Sequence, residues 1–235
     1  MSSKFKAVFP EEKSVIGMLH LAGSGQKDRM DRLAKELEIY QSEGLHGVIV
    51  EDYHGSLGDV SRALNYCAEN SRIPLGLNIL EFPLLGLEWV RQYGVKFVQF
   101  DSVNNWEREF SAAYNLKRAE NPEVIILGGV RFKYQKPTGK SLEDDVAEGK
   151  ARCEAIVTTG EGTGIETPLS KLREFRGVMG DYPLIACAGV TAQNVRSQLA
   201  IADAVIVGSY FKNGDTQAPV NRQKVRDLMK IVNDR

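Results

Sequence analysis

Eight short runs rich in Val and Ile alternate with eight amphipathic stretches along the chain, and this regular alternation limits what it can fold into more than any other feature. The runs are Val15–His20, Gly47–Asp52, Pro74–Leu80, Val95–Asp101, Glu123–Lys133, Cys153–Thr159, Pro183–Gly189 and Asp203–Ser209, advancing by about 27 residues per unit. Continuous apolar runs of this length read as strands buried on both faces. The segments between them read as helices: 27–43, 56–68, 83–93, 107–120, 141–150, 167–178, 191–200 and 221–232. In the first of these, Met30, Leu33, Ala34 and Leu37 fall three and four apart, and Gly44 follows as its stop.

Strand–helix units in series imply parallel pairing through right-handed crossovers. Eight such units in 235 residues predict an α/β protein, a single (β/α)8 TIM barrel with a parallel eight-stranded core. An open doubly wound sheet is the competitor, and it is disfavoured because no Gly-x-Gly-x-x-Gly follows the first strand. No composition shift marks a second domain, so residues 1–235 are read as one barrel domain with about 1–13 as a lead-in.

Composition narrows the function class. Thirty basic and 31 acidic residues give a net charge of −1, which argues against nucleic-acid binding by bulk electrostatics. The apolar stretch Val15–Ala22 is too short for a membrane span or secretion signal, so no integral membrane segment is expected. Cys67, Cys153 and Cys187 form no Cys-x-x-Cys pair, consistent with a reducing, cytoplasmic setting. Leu84, Leu85, Leu87 and Trp89 read as core or as a contact between copies, so a homo-oligomer stays open.

Active sites of such barrels lie at the C-terminal ends of the strands. Those ends carry His20, Glu51 with Asp52, Asn78, Gln99 with Asp101, and Arg131 with Lys133. Side chains alternate along a strand, so Gln99 and Asp101 should share a face, as should Arg131 and Lys133, while only one of Glu51 and Asp52 should face the pocket. His20 is an acid/base candidate or a hydrogen-bonded structural histidine. Lys133 is a candidate for stabilising an anionic intermediate or, if desolvated, for a Schiff base. Glu51 and Asp101 are candidates for acid/base work or for a divalent cation such as Mg2+, the only cofactor in view. Singly, each reads equally well as a satisfied rim charge; together they point to a site.

The later strand ends are rich in small residues: Thr159, Gly160, Gly162, Thr163 and Gly164 after the sixth, Gly189 and Thr191 after the seventh, Gly208 and Ser209 after the eighth. Glycines admit backbone N–H groups to an anion, and Thr191 can cap the following helix. Loops seven and eight are the usual phosphate site of such barrels, so a phosphorylated small molecule is the expected partner. The plainer reading is that these glycines permit tight turns. No Gly-x-x-x-x-Gly-Lys-Ser/Thr loop supports a nucleotide hydrolase.

Several strings together resemble the BtpA family: Gly17-Met18-Leu19-His20-Leu21, Val50-Glu51, Pro74 to Asn78, Thr159 to Gly164, Gly189 to Val195, and Ala202 to Ser209 followed by Phe211-Lys212 and Pro219-Val220. The resemblance runs through nearly the whole chain. It implies a barrel of the ribulose-phosphate-binding type, in a family named for a factor needed in photosystem I biogenesis and with bacterial members in sugar-utilisation operons. It supports His20, Glu51, Asn78, Lys133, Thr159, Gly162, Thr163, Gly164, Gly189, Thr191, Gly208 and Ser209 as pocket candidates. The chain departs from the family at Ala22-Gly23-Ser24-Gly25, where a proline-rich turn is usual. It also departs at Asp101 (often Asn), Gly129 (Asp), Tyr134 (His) and Cys187-Ala188-Gly189 (Gly-Ser-Gly).

Two functional expectations follow. One is an enzyme acting on a phosphorylated sugar or nucleoside-like metabolite by proton-transfer or carbon-skeleton chemistry, of isomerase, epimerase or lyase type. It would use His20, Glu51, Asn78, Asp101, Arg131 and Lys133. The other is a non-catalytic assembly or regulatory factor for a membrane complex that keeps the barrel as a scaffold.

Overall fold

The computed structural model describes residues 3–234. Strands β1 (Ser14–Leu19), β2 (Gly47–Glu51), β3 (Leu75–Asn78), β4 (Phe97–Phe100), β5 (Ile125–Gly129), β6 (Ala155–Thr159), β7 (Leu184–Cys187) and β8 (Ala204–Val207) close in sequence order into a barrel. Every pairing is parallel, and β8 returns to β1 with Ser14 opposite Ala204. This is the architecture that the alternation predicts.

Outside lie α2 (Gln26–Ser42), α3 (Leu57–Asn70), α4 (Pro83–Tyr93), α5 (Arg108–Glu120), α6 (Leu142–Lys150), α7 (Leu169–Met179), α8 (Val195–Leu199) and α9 (Arg222–Asn233). Their starts follow local chemistry. Ser56 and Asp59 form a reciprocal capping box on α3, Ser141 and Asn221 cap α6 and α9, and Pro83 opens α4. Gly44, at φ 82°, ends α2 as expected. Among the described residues no helix is long and apolar enough to cross a membrane.

Strand alternation divides the core in two. Val15, Val48, Leu77, Val98, Ile126 and Val205 pack beneath the helices, while Ile16, Met18, Ile49, Leu127, Val157 and Ile206 fill the barrel. The lead-in contributes to this interior, because its residues 3–8 form a helix, α1 (Ser3–Val8), that presents Phe5 and closes the N-terminal mouth. Phe9, just beyond it, meets Phe97 edge-on at 5.1 Å. Burying the two rings contributes roughly 1.5–3 kcal/mol each.

Three local expectations are corrected. The fifth strand stops at Gly129, and Arg131 adopts φ 48°, so Arg131 and Lys133 do not share a strand face. The eighth-strand loop folds into a short 3-10 helix, Ser209–Lys212, with no counterpart in the periodicity. Thr191 does not cap α8: the Asn194 side chain accepts the Thr191 N–H at 2.8 Å and donates to the Gly189 carbonyl at 2.9 Å, organising the turn instead.

Candidate active site

The same two-residue alternation that fills the barrel with Ile16 and Met18 carries His20 inward above them, and Ile49 is followed inward by Glu51. Parallel register sets Glu51 beside Asn78. From β4, Gln99 and, just past the strand, Asp101 face the same cavity. It holds about 460 Å3, mouth included.

The floor is one hydrogen-bonded network. Asn78 Nδ2 donates to Glu51 Oε1 at 2.8 Å and to Asp101 Oδ1 at 3.1 Å, while Gln99 Nε2 donates to the same Asp101 oxygen at 2.9 Å. His20 Nε2 stands 3.6 Å from Glu51 Oε2. Both are buried, and so are Asn78 and Gln99. Burial, reinforced by the neighbouring Asp101 charge, pushes the Glu51 carboxyl up to about 8, so it is an acid at neutral pH. Burial and then the positive charge of Lys212 hold His20 well below its usual range, as a neutral imidazole.

Lys133 reaches the cavity by a route that strand alternation does not describe. Left-handed Arg131 turns the chain. The Lys133 N–H then donates to Thr159 Oγ1 at 2.6 Å, pinning the loop to the end of β6. Lys171 Nζ adds bonds to the Arg131 and Thr159 carbonyls at 2.8 and 2.7 Å. Burial alone would lower the Lys133 pKa, but Cys187, Glu51, Asp101 and Tyr53 around it turn the net shift upward. A charged ammonium suits anion stabilisation rather than a Schiff base. Arg131 does not line this cavity; its Nε donates to buried Asp145 at 2.9 Å.

Of the small residues expected at an anion site, Thr163, Gly164, Gly208 and Ser209 line the cavity, together with Ala188. Thr159, Gly160, Gly162, Gly189 and Thr191 do not. Gly160 and Gly189 instead let two loops touch: a Cβ on Gly160 would lie 2.5 Å from the Glu166 carbonyl, and one on Gly189, at φ 64°, 2.2 Å from the Glu166 nitrogen. At these two positions the tight-turn reading holds.

Tyr53 is a residue the strand-end reasoning passed over, although it lies two residues beyond Glu51. Its ring sits 5.1 Å from His20, and its hydroxyl is hydrogen-bonded to Thr163 Oγ1 at 3.3 Å, joining the loops after β2 and β6 across the mouth. A buried ion pair between Lys212 and Glu36, at 2.7 Å, also escaped sequence reasoning because the partners lie 176 residues apart. Cys187 lines the cavity, but burial pushes its thiol up to about 12. Among the described residues no three His, Cys, Asp or Glu side chains are arranged to hold a metal ion; Glu51 and Asp101 share the Asn78 amide as a pair.

A closed parallel eight-stranded barrel whose C-terminal mouth gathers His20, Glu51 and Lys133 around one cavity makes the protein a TIM barrel. The chain belongs to the BtpA family, whose model matches residues 11–234. An uncharacterised protein of Pyrococcus furiosus is 25% identical, with 94% of this chain and 95% of the relative aligned. One from Methanocaldococcus jannaschii is 22% identical, with 95% and 96% aligned. Among solved structures, N-(5'-phosphoribosyl)anthranilate isomerase from Pyrococcus furiosus superposes with a TM-score of 0.64 at 17% identity, covering 95% of this chain and 100% of that one. For 3-hexulose-6-phosphate synthase from Salmonella typhimurium the TM-score is 0.65 at 13% identity, covering 94% and 99%. At these identities the likeness is one of fold.

Proposed function

We propose that this protein is an enzyme that moves protons on a phosphorylated sugar or nucleoside-like metabolite, in an isomerase, epimerase or lyase reaction. The observation that carries the reading is the Asn78 amide joining two carboxyl groups with different roles in one cavity. Glu51 is held protonated by its surroundings, while Asp101 Oδ1 accepts N–H bonds from Asn78 and Gln99. An acid and a base in one cavity are what proton transfer next to a carbonyl requires.

In this reading Asp101 takes the proton from carbon, and Glu51 or neutral His20 serves the oxygen. The Lys133 ammonium has no hydrogen-bond acceptor among the described residues and supplies charge to a developing enediolate. The phosphate sits where Thr163, Gly164, Gly208 and Ser209 meet. A protein that used the barrel only as a scaffold would have no use for this convergence.

The test is a calorimetric and thermal-shift panel of sugar phosphates, phosphoribosyl compounds, nucleotides and inorganic phosphate, each with and without Mg2+. Saturation at a hundred times Kd adds about 2.7 kcal/mol and raises Tm by roughly 5–10 °C. A ligand that binds should then exchange a carbon-bound proton with D2O, and Glu51→Gln and Asp101→Asn should stop the exchange while binding persists. Silence across the whole panel, inorganic phosphate included, would overturn the proposal.

A further inference from the structure

Gln99 has a feature that proton transfer does not use. Its Nε2 is committed to Asp101, and because a carboxylate can only accept, that bond fixes which end of the amide is which. The opposite end, Oε1, is buried without a hydrogen-bond partner among the described residues, on a side chain 2% exposed that lines the cavity. A buried carbonyl left unpaired is destabilising unless something in the cavity donates to it. Next to it, Asp101 Oδ1 already takes two N–H bonds, whereas Oδ2 takes none from the described residues. Gln99 on β4 and Asp101 just past its end thus present an acceptor-only corner to the ligand.

We infer that this corner is a subsite for sugar hydroxyls and that Gln99 is the residue that reads them. The inference deepens the function proposed above and rests on it for the phosphate end of the ligand. An acceptor-only corner takes hydroxyl donors and leaves a ligand without them facing two unsatisfied oxygens. A site built to hydrogen-bond a hydroxyl discriminates strongly against the analogue that lacks it. The ligand class is therefore a polyhydroxylated phosphate ester with free hydroxyls at the end remote from phosphate.

The experiment is titration calorimetry with inorganic phosphate, pentose and hexose phosphates, their singly deoxygenated counterparts, and the unphosphorylated pentoses, on the wild type and on Gln99→Met. For at least one sugar phosphate, removing one hydroxyl should weaken binding to the wild type tenfold or more. In Gln99→Met the same pair should differ by less than threefold, while inorganic phosphate binds as before. A residue that only braced Asp101 would change binding of the sugar phosphate and its deoxy counterpart by the same factor, and that result overturns the inference. So does a wild type that binds every sugar phosphate no better than inorganic phosphate, a comparison that stands even if Gln99→Met does not fold. Loss of phosphate binding alone would sink the phosphate reading, whereas Gln99-dependent binding of free pentoses would still uphold the corner.

Discussion

Thr159 Oγ1 accepts the Lys133 N–H at 2.6 Å, and its own hydroxyl donates to the Gly160 carbonyl at 2.8 Å. The neighbouring Thr158 is equally buried, yet its hydroxyl has no partner among the described residues. Two substitutions of the same shape should therefore act in opposite directions. Thr159→Val strands a backbone N–H and should destabilise by about 1–3 kcal/mol, while weakening any anionic ligand that Lys133 holds. Thr158→Val removes an unsatisfied hydroxyl and should be neutral or stabilising by up to about 1 kcal/mol. Urea unfolding of both variants checks the pair; equal losses would mean that the Thr159 bond does not hold the loop.

Glu51 gives stability a pH dependence of known sign. Its carboxyl ionises near 4.5 in the unfolded chain and near 8 in the fold, so between those values the native state holds a proton that the unfolded state has lost. Stability from this group is intact below about pH 4.5 and is lost as pH rises through 8, with a slope approaching ~1.4 kcal/mol per pH unit. His20 acts in the other sense, since its lowered pKa costs stability as pH falls below the usual histidine range. Comparing wild type with Glu51→Gln isolates the first effect. The variant should gain on the wild type steadily from pH 5 to pH 8, and parallel stability curves would show that Glu51 is ionised in the fold.

What the sequence made legible follows the period of a strand. His20, Glu51, Asn78 and Asp101 were readable because each continues an inward alternation begun by buried residues such as Met18, Ile49 and Phe97. Lys133 was found for a reason that failed, since alternation put Arg131 beside it and a left-handed residue after β5 turned Arg131 to Asp145. No periodic signal announces a single positive φ on arginine. Tyr53 was missed because it belongs to a loop, where neither period applies. At Gly160 and Gly189 the sequence could not separate two readings, because a glycine needed for loop contact looks the same as one needed for a ligand.

The pair formed by Glu36 on α2 and Lys212 in the 3-10 helix should show the asymmetry of buried ion pairs. Both are buried and 2.7 Å apart, so Lys212→Met alone leaves an unpaired carboxyl in the core and should cost about 3–5 kcal/mol. The double change Glu36→Leu with Lys212→Met should recover most of that loss. Desolvation is the main reason His20 stays neutral, but the Lys212 charge adds to it. The double variant should therefore raise the His20 pKa, as read from its ring protons by NMR. An unchanged pKa would show that Lys212 is too well screened to act on the site.

Gly208 and Gly177 offer the same substitution in two surroundings. A Cβ at Gly208 would stand 2.9 Å from His20 Cε1 and 3.1 Å from Nε2, the nitrogen that faces Glu51. The imidazole has the Tyr53 ring near it and cannot yield freely. Gly208→Ala should therefore cost about 1–3 kcal/mol by overpacking and displace Nε2 from Glu51, reducing ligand-dependent proton exchange by tenfold or more. Gly177 lies inside α7 with open space where its Cβ would go, so alanine there removes backbone freedom from the unfolded chain and should stabilise by roughly 0.5–1 kcal/mol. Thermal unfolding of the two variants should shift in opposite directions. If Gly208→Ala keeps full exchange activity while losing stability, the position of the His20 ring does not matter to the chemistry, and the role given to His20 falls.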